Sequence, residues 1–154
     1  MEEWAVSDAV TQILCLNFMV WGATDRSNVE DLLNCLCRDV LVDFEGIPPI
    51  QGRLAYREFL DARSASQGQA RGRHIGFNPQ ITLVDADQAL GIWGIQYIAV
   101  NHEKQTLTQL LGEYSDEYAR VDGSWLIRSM RMRRSFIATQ SADSEGSVSL
   151  SLSA

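Results

Sequence analysis

The 154-residue sequence predicts one α+β domain, with three N-terminal helices packed in a curved, mostly antiparallel sheet. Three observations predict it. Up to about residue 63 apolar side chains recur at helical spacing. From His74 onward, long stretches of strand composition follow one another across short turns. Leu90–Ile98 is apolar on both parities, so something must cover each of its faces.

Ser7 reads as the N-cap of a first helix reaching about Trp21, with Val10, Ile13, Leu14, Asn17 and Trp21 on one face. Gly22 suits the left-handed position that ends a helix, which puts Asp25 in the following turn. Ser27-Asn28-Val29-Glu30 has the spacing of a capping box and opens a second helix, ending near Cys37. Val40–Phe44 is a short strand. Pro48, Pro49 and Gly52 mark a loop before a third helix, Leu54 to about Arg63. Ser64–Gly72 is a flexible connector. Four strands follow, at about His74–Val84, Ala89–Asn101, Thr106–Val121 and Ser124–Ile137. Asp122-Gly123 between the last two is a strong hairpin signal. Residues 1–139 thus make one domain, and 140–154 form a Ser-rich tail, mobile or clamped on a neighbour.

The net charge of −7 argues against nucleic acid and against an anionic membrane surface, both of which need a basic face. There is no signal-peptide pattern, and no apolar run approaches the roughly 20 residues that span a bilayer. Three cysteines without paired spacing read as reduced packing residues of a cytoplasmic protein, not a metal site. Ligand clusters and glycine-rich phosphate loops are missing, so neither a metal nor an organic cofactor is expected. The doubly apolar strand offers one face to the helices and the other to a second subunit, so a homo-oligomer, dimer or trimer, is expected.

The chain has only two histidines. His102 sits in a turn. His74, in Arg73-His74-Ile75-Gly76-Phe77-Asn78-Pro79, shares a parity with Gly76, Asn78, Gln80 and Thr82, while Ile75, Phe77, Ile81 and Leu83 form the apolar one. A polar parity faces either solvent or a polar cavity, and Pro79 makes a mid-strand irregularity expected. Asp25 alone reads as a solvated acid ahead of a helix. If the fold joins the two, a carboxylate fixes the tautomer of the readiest proton carrier in the chain.

The order of elements resembles the SnoaL-like branch of the cone-shaped fold shared with nuclear transport factor 2, scytalone dehydratase and ketosteroid isomerase. The resemblance rests on Asp25 after the first helix, Phe44-Glu45-Gly46-Ile47 with Gly52, Arg73-His74 with Asn78, and the run Tyr114-Ser115-Asp116-Glu117-Tyr118-Ala119-Arg120-Val121-Asp122-Gly123-Ser124-Trp125. In motif it is most similar to the hexachlorocyclohexane dehydrochlorinases. The resemblance implies a cone with an interior cavity, and Asp25 and His74 as a catalytic pair in its mouth. It also implies a cofactor-independent lyase or isomerase acting on a small apolar molecule. Many family members carry a tyrosine five residues before the acid; Val20 stands there, which puts a phenol donor at that point in doubt.

Near the expected cavity, Trp21, Trp93, Tyr97 and Tyr114 are either core or substrate-facing. Trp93, Ile95 and Tyr97 share one parity, as do Leu110, Gly112 and Tyr114. Asn78 and Arg131 complete the candidate substrate contacts, Arg131 because it shares parity with Trp125 and Ile127. Asp116 and Glu117, adjacent on a strand, face opposite sides and are no carboxylate pair. Two other classes fit the same pattern: a polyketide or terpenoid cyclase using the same Asp25 and His74, and a non-catalytic ligand-binding or oligomerisation domain.

Overall fold

The computed structural model describes residues 3–67, 70–143 and 145–153. Helices α1 (Glu3–Asp25), α2 (Val29–Asn34) and α3 (Arg53–Gln67) pack into the concave side of a curved seven-stranded sheet. The strands are β1 (Leu36–Phe44), β2 (Ile50–Gln51), β3 (Ala70–Leu83), β4 (Gln88–Asn101), β5 (Thr106–Val121), β6 (Ser124–Ala142) and β7 (Val148–Ser153). Their order is β2-β1-β6-β5-β4-β3, with β7 paired to β6. The β1–β6 pair is parallel and every other pair antiparallel. The sheet does not close, which leaves a cone open at one end.

Apolar periodicity along α1 supplies the lid of the core. Ile13, Leu16, Val20, Trp21 and Ala23 are buried against Trp93, Ile95, Tyr118 and Ile127 of the sheet. The stretch Val6–Asp25 is long and apolar enough to cross a membrane by length and composition, contrary to expectation; its buried stripe fits a core helix. The helix includes Glu3, so Ser7 lies inside it rather than capping it. Gly22 does not end it either: the helix runs on to Asp25, its last residue. The α2 cap is one residue later than the capping-box spacing suggests. Asn28 accepts from the Asp31 backbone N–H at 3.2 Å, and Ser27 takes a left-handed φ of 55°. The second helix closes early because Leu36 and Cys37 already belong to β1.

Of the expected connector, residues 64–67 continue α3 and 70–72 begin β3; Gly68 and Gln69 lie outside the described residues. Part of the Ser-rich tail is a strand of the chain's own sheet. Val148–Ser153 folds back on Ile137–Ala142, extending the sheet with a period-two alternation of Val148, Leu150 and Leu152 with serines. At the β5–β6 hairpin Asp122 (φ 50°) and Gly123 (φ 83°) both adopt the left-handed conformation that the tight turn requires.

Two irregularities decide which side chains face inward. In β3 the register slips between Phe77 and Gln80, where Asn78 has φ 49° and Pro79 cannot donate to the ladder. Before the slip the even residues Gly72, His74 and Gly76 face the concavity; after it Ile81 and Leu83 do. In β6 the register slips at Arg128, between the pairs Tyr118–Ile127 and Glu117–Ser129. Inward positions pass from Trp125 and Ile127 to Met130 and Met132. The convex face is rich in exposed apolar side chains: Ile75, Phe77, Leu90, Ile92 and Phe136.

Candidate active site

Inside the cone lies a cavity of about 810 Å³, bounded by α1, α3 and the concave faces of β3 to β6. Asp25 and His74 meet on its wall. His74 Nδ1 lies 2.7 Å from Asp25 Oδ1, and the His74 backbone N–H donates to both carboxylate oxygens at 3.2 Å. The Asp25 side chain is 8% exposed and the His74 side chain 18%. A carboxylate held on Nδ1 assigns the ring proton to that nitrogen and leaves the lone pair on Nε2. Arg73 stands only at the edge of the pair, 4.0 Å from Asp25 Oδ2.

The local sequence around His74 builds its surroundings. Gly72 and Gly76 flank it on the same face of β3. A Cβ at Gly72 would lie 2.2 Å from the Tyr97 hydroxyl oxygen, and one at Gly76 would lie 1.9 Å from Cζ3 of Trp21. The two glycines therefore let aromatic rings press onto the strand on either side of the histidine. Tyr97 pairs with His74 in the β3–β4 register, with ring centroids 4.5 Å apart.

Of the other expected contacts, Trp21, Ile95, Tyr97, Leu110 and Tyr114 line the cavity. Three candidates do not. Trp93 is fully buried beneath it, covered edge-on by Trp21 at 5.1 Å and by Phe18 at 6.0 Å, and its Nε1–H is committed to the Tyr118 hydroxyl at 2.9 Å. Asn78 is exposed in the β3 bulge, on no wall of the cavity. Arg131 is carried to the convex face by the β6 slip, where its Nε–H donates to Asp43 Oδ2 at 3.0 Å. Arg133 joins the same carboxylate at 2.7 Å, and the two guanidiniums hold Asp43 below the usual carboxylate range.

Sequence reasoning missed the floor of the cavity. Asn17 and Asp116 are 1% and 3% exposed, and both line it. Asn17 Nδ2 donates to Asp116 Oδ2 at 3.0 Å, and the Tyr118 hydroxyl donates to the same oxygen at 3.2 Å. Burial pushes the Asp116 carboxyl up to about 7, against the smaller opposing effect of those two hydrogen bonds. Burial likewise raises Tyr114 far above its ordinary range, and Tyr56 to about 12, so both phenols stay neutral. Asp116 could have been placed: it is two residues beyond Tyr114, on the parity already assigned to the cavity. Among the described residues no three His, Cys, Asp or Glu side chains converge as metal ligands would.

The architecture is shared with enzymes of known structure. A scytalone dehydratase-like protein from Novosphingobium aromaticivorans superposes with a TM-score of 0.81 at 20% identity, over 88% of this chain and 90% of that one. The hexachlorocyclohexane dehydrochlorinase LinA-type3 of Novosphingobium barchaimii gives 0.78 at 19% identity, over 87% and 91%. Rv3472 of Mycobacterium tuberculosis, a protein of unknown function, gives 0.72 at 27% identity, over 82% and 71%. At these identities the likeness to the two enzymes is one of fold. A comparison with curated proteins finds no match. The SnoaL-like domain model matches residues 5–131, most of the chain including the Asp25–His74 pair, and the chain belongs to the SnoaL-like domain family.

Proposed function

We propose that the protein is a cofactor-independent lyase or isomerase, of dehydratase or dehydrohalogenase type, acting on a small and largely apolar molecule. The observation that carries this reading is the 2.7 Å contact between Asp25 Oδ1 and His74 Nδ1 on the wall of a cavity of about 810 Å³. Nε2 of His74 takes a proton from an acidic C–H of the substrate. The released C–H electron pair forms the new double bond, and the β substituent leaves with its bonding electrons. In the isomerase variant the double bond migrates and the proton returns at another carbon. Asp25 acts as a positioning residue: it fixes the imidazole and stabilises the imidazolium in a site largely screened from water. Trp21, Ile95, Tyr97 and Leu110 supply apolar wall for a ring system.

His74→Ala and Asp25→Asn test the reading on a substrate that the wild type converts, found by screening halogenated cyclohexanes and hydroxylated bicyclic ketones. His74→Ala loses about 10²–10⁴-fold in kcat. Asp25→Asn lowers kcat with little change in KM and alters the pH profile. Full turnover by both variants would end the proposal.

The exposed apolar convex face supports a second proposal, a homo-oligomer assembled through it. Ile75, Phe77, Leu90, Ile92 and Phe136 stand open there. The three free thiols suit a reducing, cytoplasmic setting.

A further inference from the structure

The chain as a whole is acidic, at a net charge of −7, yet the rim of its cavity is basic. Arg26 just past α1, Arg63 towards the end of α3, and Arg71 and Arg73 at the start of β3 all bound the cavity, and all four are exposed. Among the described residues only two acids bound it, Asp25 and Asp116. Asp25 is committed to His74, and burial pushes the Asp116 carboxyl up to about 7. A cleft lined by one sign of charge focuses its field and draws in the opposite sign.

Inside that rim stand three phenols, all of which line the cavity. Tyr97 lies against the His74 ring with centroids 4.5 Å apart, Tyr56 stacks on Phe59 at 6.1 Å, and Tyr114 meets Phe44 edge-on at 5.8 Å. Among the described residues none hydrogen-bonds their hydroxyls, whereas the Tyr118 hydroxyl is taken by Trp93 and Asp116. Burial raises all three phenols, Tyr56 to about 12, so each stays an O–H. The Arg63 charge opposes that rise at every one of them, so it bears on the cavity interior as well as on the rim. A guanidinium offers N–H donors in a planar fork and no acceptor, and the phenols add three O–H donors. An ionised carboxylate complements such a set, since it only accepts and carries the opposite charge. A neutral amide of the same shape brings N–H donors of its own against the fork.

We propose that Arg63 together with Tyr56, Tyr97 and Tyr114 forms an anion subsite, so that the substrate is a ring compound bearing a carboxylate, held there while its ring lies on the apolar wall. The arginines of the rim gather the anion; Arg63 and the phenols hold it. Because Tyr97 touches His74, the carboxylate is anchored beside the base and sets which C–H of the ring meets Nε2. It is a handle and takes no part in the bond changes. Arg63 and Tyr97 become specificity residues for the reaction assigned to Asp25 and His74, and the inference rests on that cavity being the substrate site.

Binding of 2-naphthoate and of its neutral isostere 2-naphthamide, measured by titration calorimetry at pH 6.5, tests it without turnover. The wild type binds 2-naphthoate at least about tenfold more tightly, as one charge-assisted hydrogen bond provides. Arg63→Gln reduces that ratio to about threefold or less. Arg63→Lys, which keeps the charge and loses the fork, lowers it by less. His74→Ala keeps it. Two probes bound within about twofold of one another by the wild type would overturn the subsite, as would failure of 2-naphthoate to bind. So would a preference kept in Arg63→Gln and lost in His74→Ala, which would put the carboxylate on the imidazole. If Arg63→Gln does not fold, the ratios of the wild type, Arg63→Lys and His74→Ala still decide. The two proposals fail separately. Full turnover by His74→Ala with the carboxylate preference intact removes the base and leaves the subsite; lost turnover in a protein without that preference removes the subsite and leaves the base.

Discussion

Replacing Asp116 by asparagine should remove a pH dependence of stability that the native protein carries in its core. Moving a carboxyl from its ordinary 3.8 to about 7 corresponds to about 4 kcal/mol against the ionised form in the folded state. The unfolded chain gives up this proton near pH 4, whereas the folded chain keeps it to about 7. Between those values the native state binds more protons, so stability falls as pH rises and levels off above about 7. The stretch from pH 5 to above 8 holds about 3 kcal/mol of that loss. Asp116→Asn cannot ionise, and its amide oxygen can accept from Asn17 and Tyr118 as Oδ2 does now. The salt-bridged acids Glu30, Asp43 and Glu45 are shifted the other way, below their ordinary values, and act below this window. Whatever the two histidines contribute is common to both proteins and cancels in the difference. Guanidinium denaturation at pH 5, 6, 7 and 8.5 should therefore show the variant gaining about 3 kcal/mol on the wild type across the series. Two stability curves that stay parallel from pH 5 to 8.5 would refute the assignment of a buried neutral acid.

Gly76→Ala places a Cβ 1.9 Å from the Trp21 ring and should cost about 1–3 kcal/mol, read from thermal denaturation, with a displaced His74 and reduced turnover. Arg131→Ala should change turnover by no more than about twofold, because its partner is Asp43 on the convex face and not the substrate. Trp93→Phe leaves the buried Tyr118 hydroxyl without its donor and should cost about 1–3 kcal/mol, read from thermal denaturation. Charging the convex face with Ile75→Lys and Phe136→Glu together should dissociate the proposed oligomer, seen as a smaller mass in sedimentation at unchanged secondary structure.

Most of the architecture was legible because it follows from local periodicity. The four long strands and the Asp122-Gly123 turn stand where alternation and turn chemistry put them. The two partners Asp25 and His74 were legible through the family resemblance rather than through spacing, since 49 residues separate them. The misplacements share a physical origin. Parity arguments assume an unbroken strand, and each bulge reverses them. Arg131 was assigned inward by counting from Ile127 across the slip at Arg128. Asn78 was assigned to the histidine's face although its positive φ makes it the bulge itself. Trp93 was on the correct face, but parity says nothing about depth, and two rings from α1 cover it. The tail escaped notice because serine is common in loops. Its apolar alternation becomes a strand once β6 offers it a free edge.

The slip at Asn78-Pro79 gives β3 two unrelated duties on one face of the sheet. His74 projects into the cavity on an even count, while Ile81 and Leu83 pack on the core on an odd one. The extra residue is what lets an odd separation, from 74 to 81, end on one face. Straightening the strand at unchanged length would force a choice. Held by the His74–Asp25 contact, the strand would turn Ile81 and Leu83 out to water; held by the core, it would turn His74 out of the cone. Removing one residue of the dipeptide would instead make the separation even and leave both duties in place, so this is the point of β3 where a loss of length is tolerated and a loss of the bulge is not.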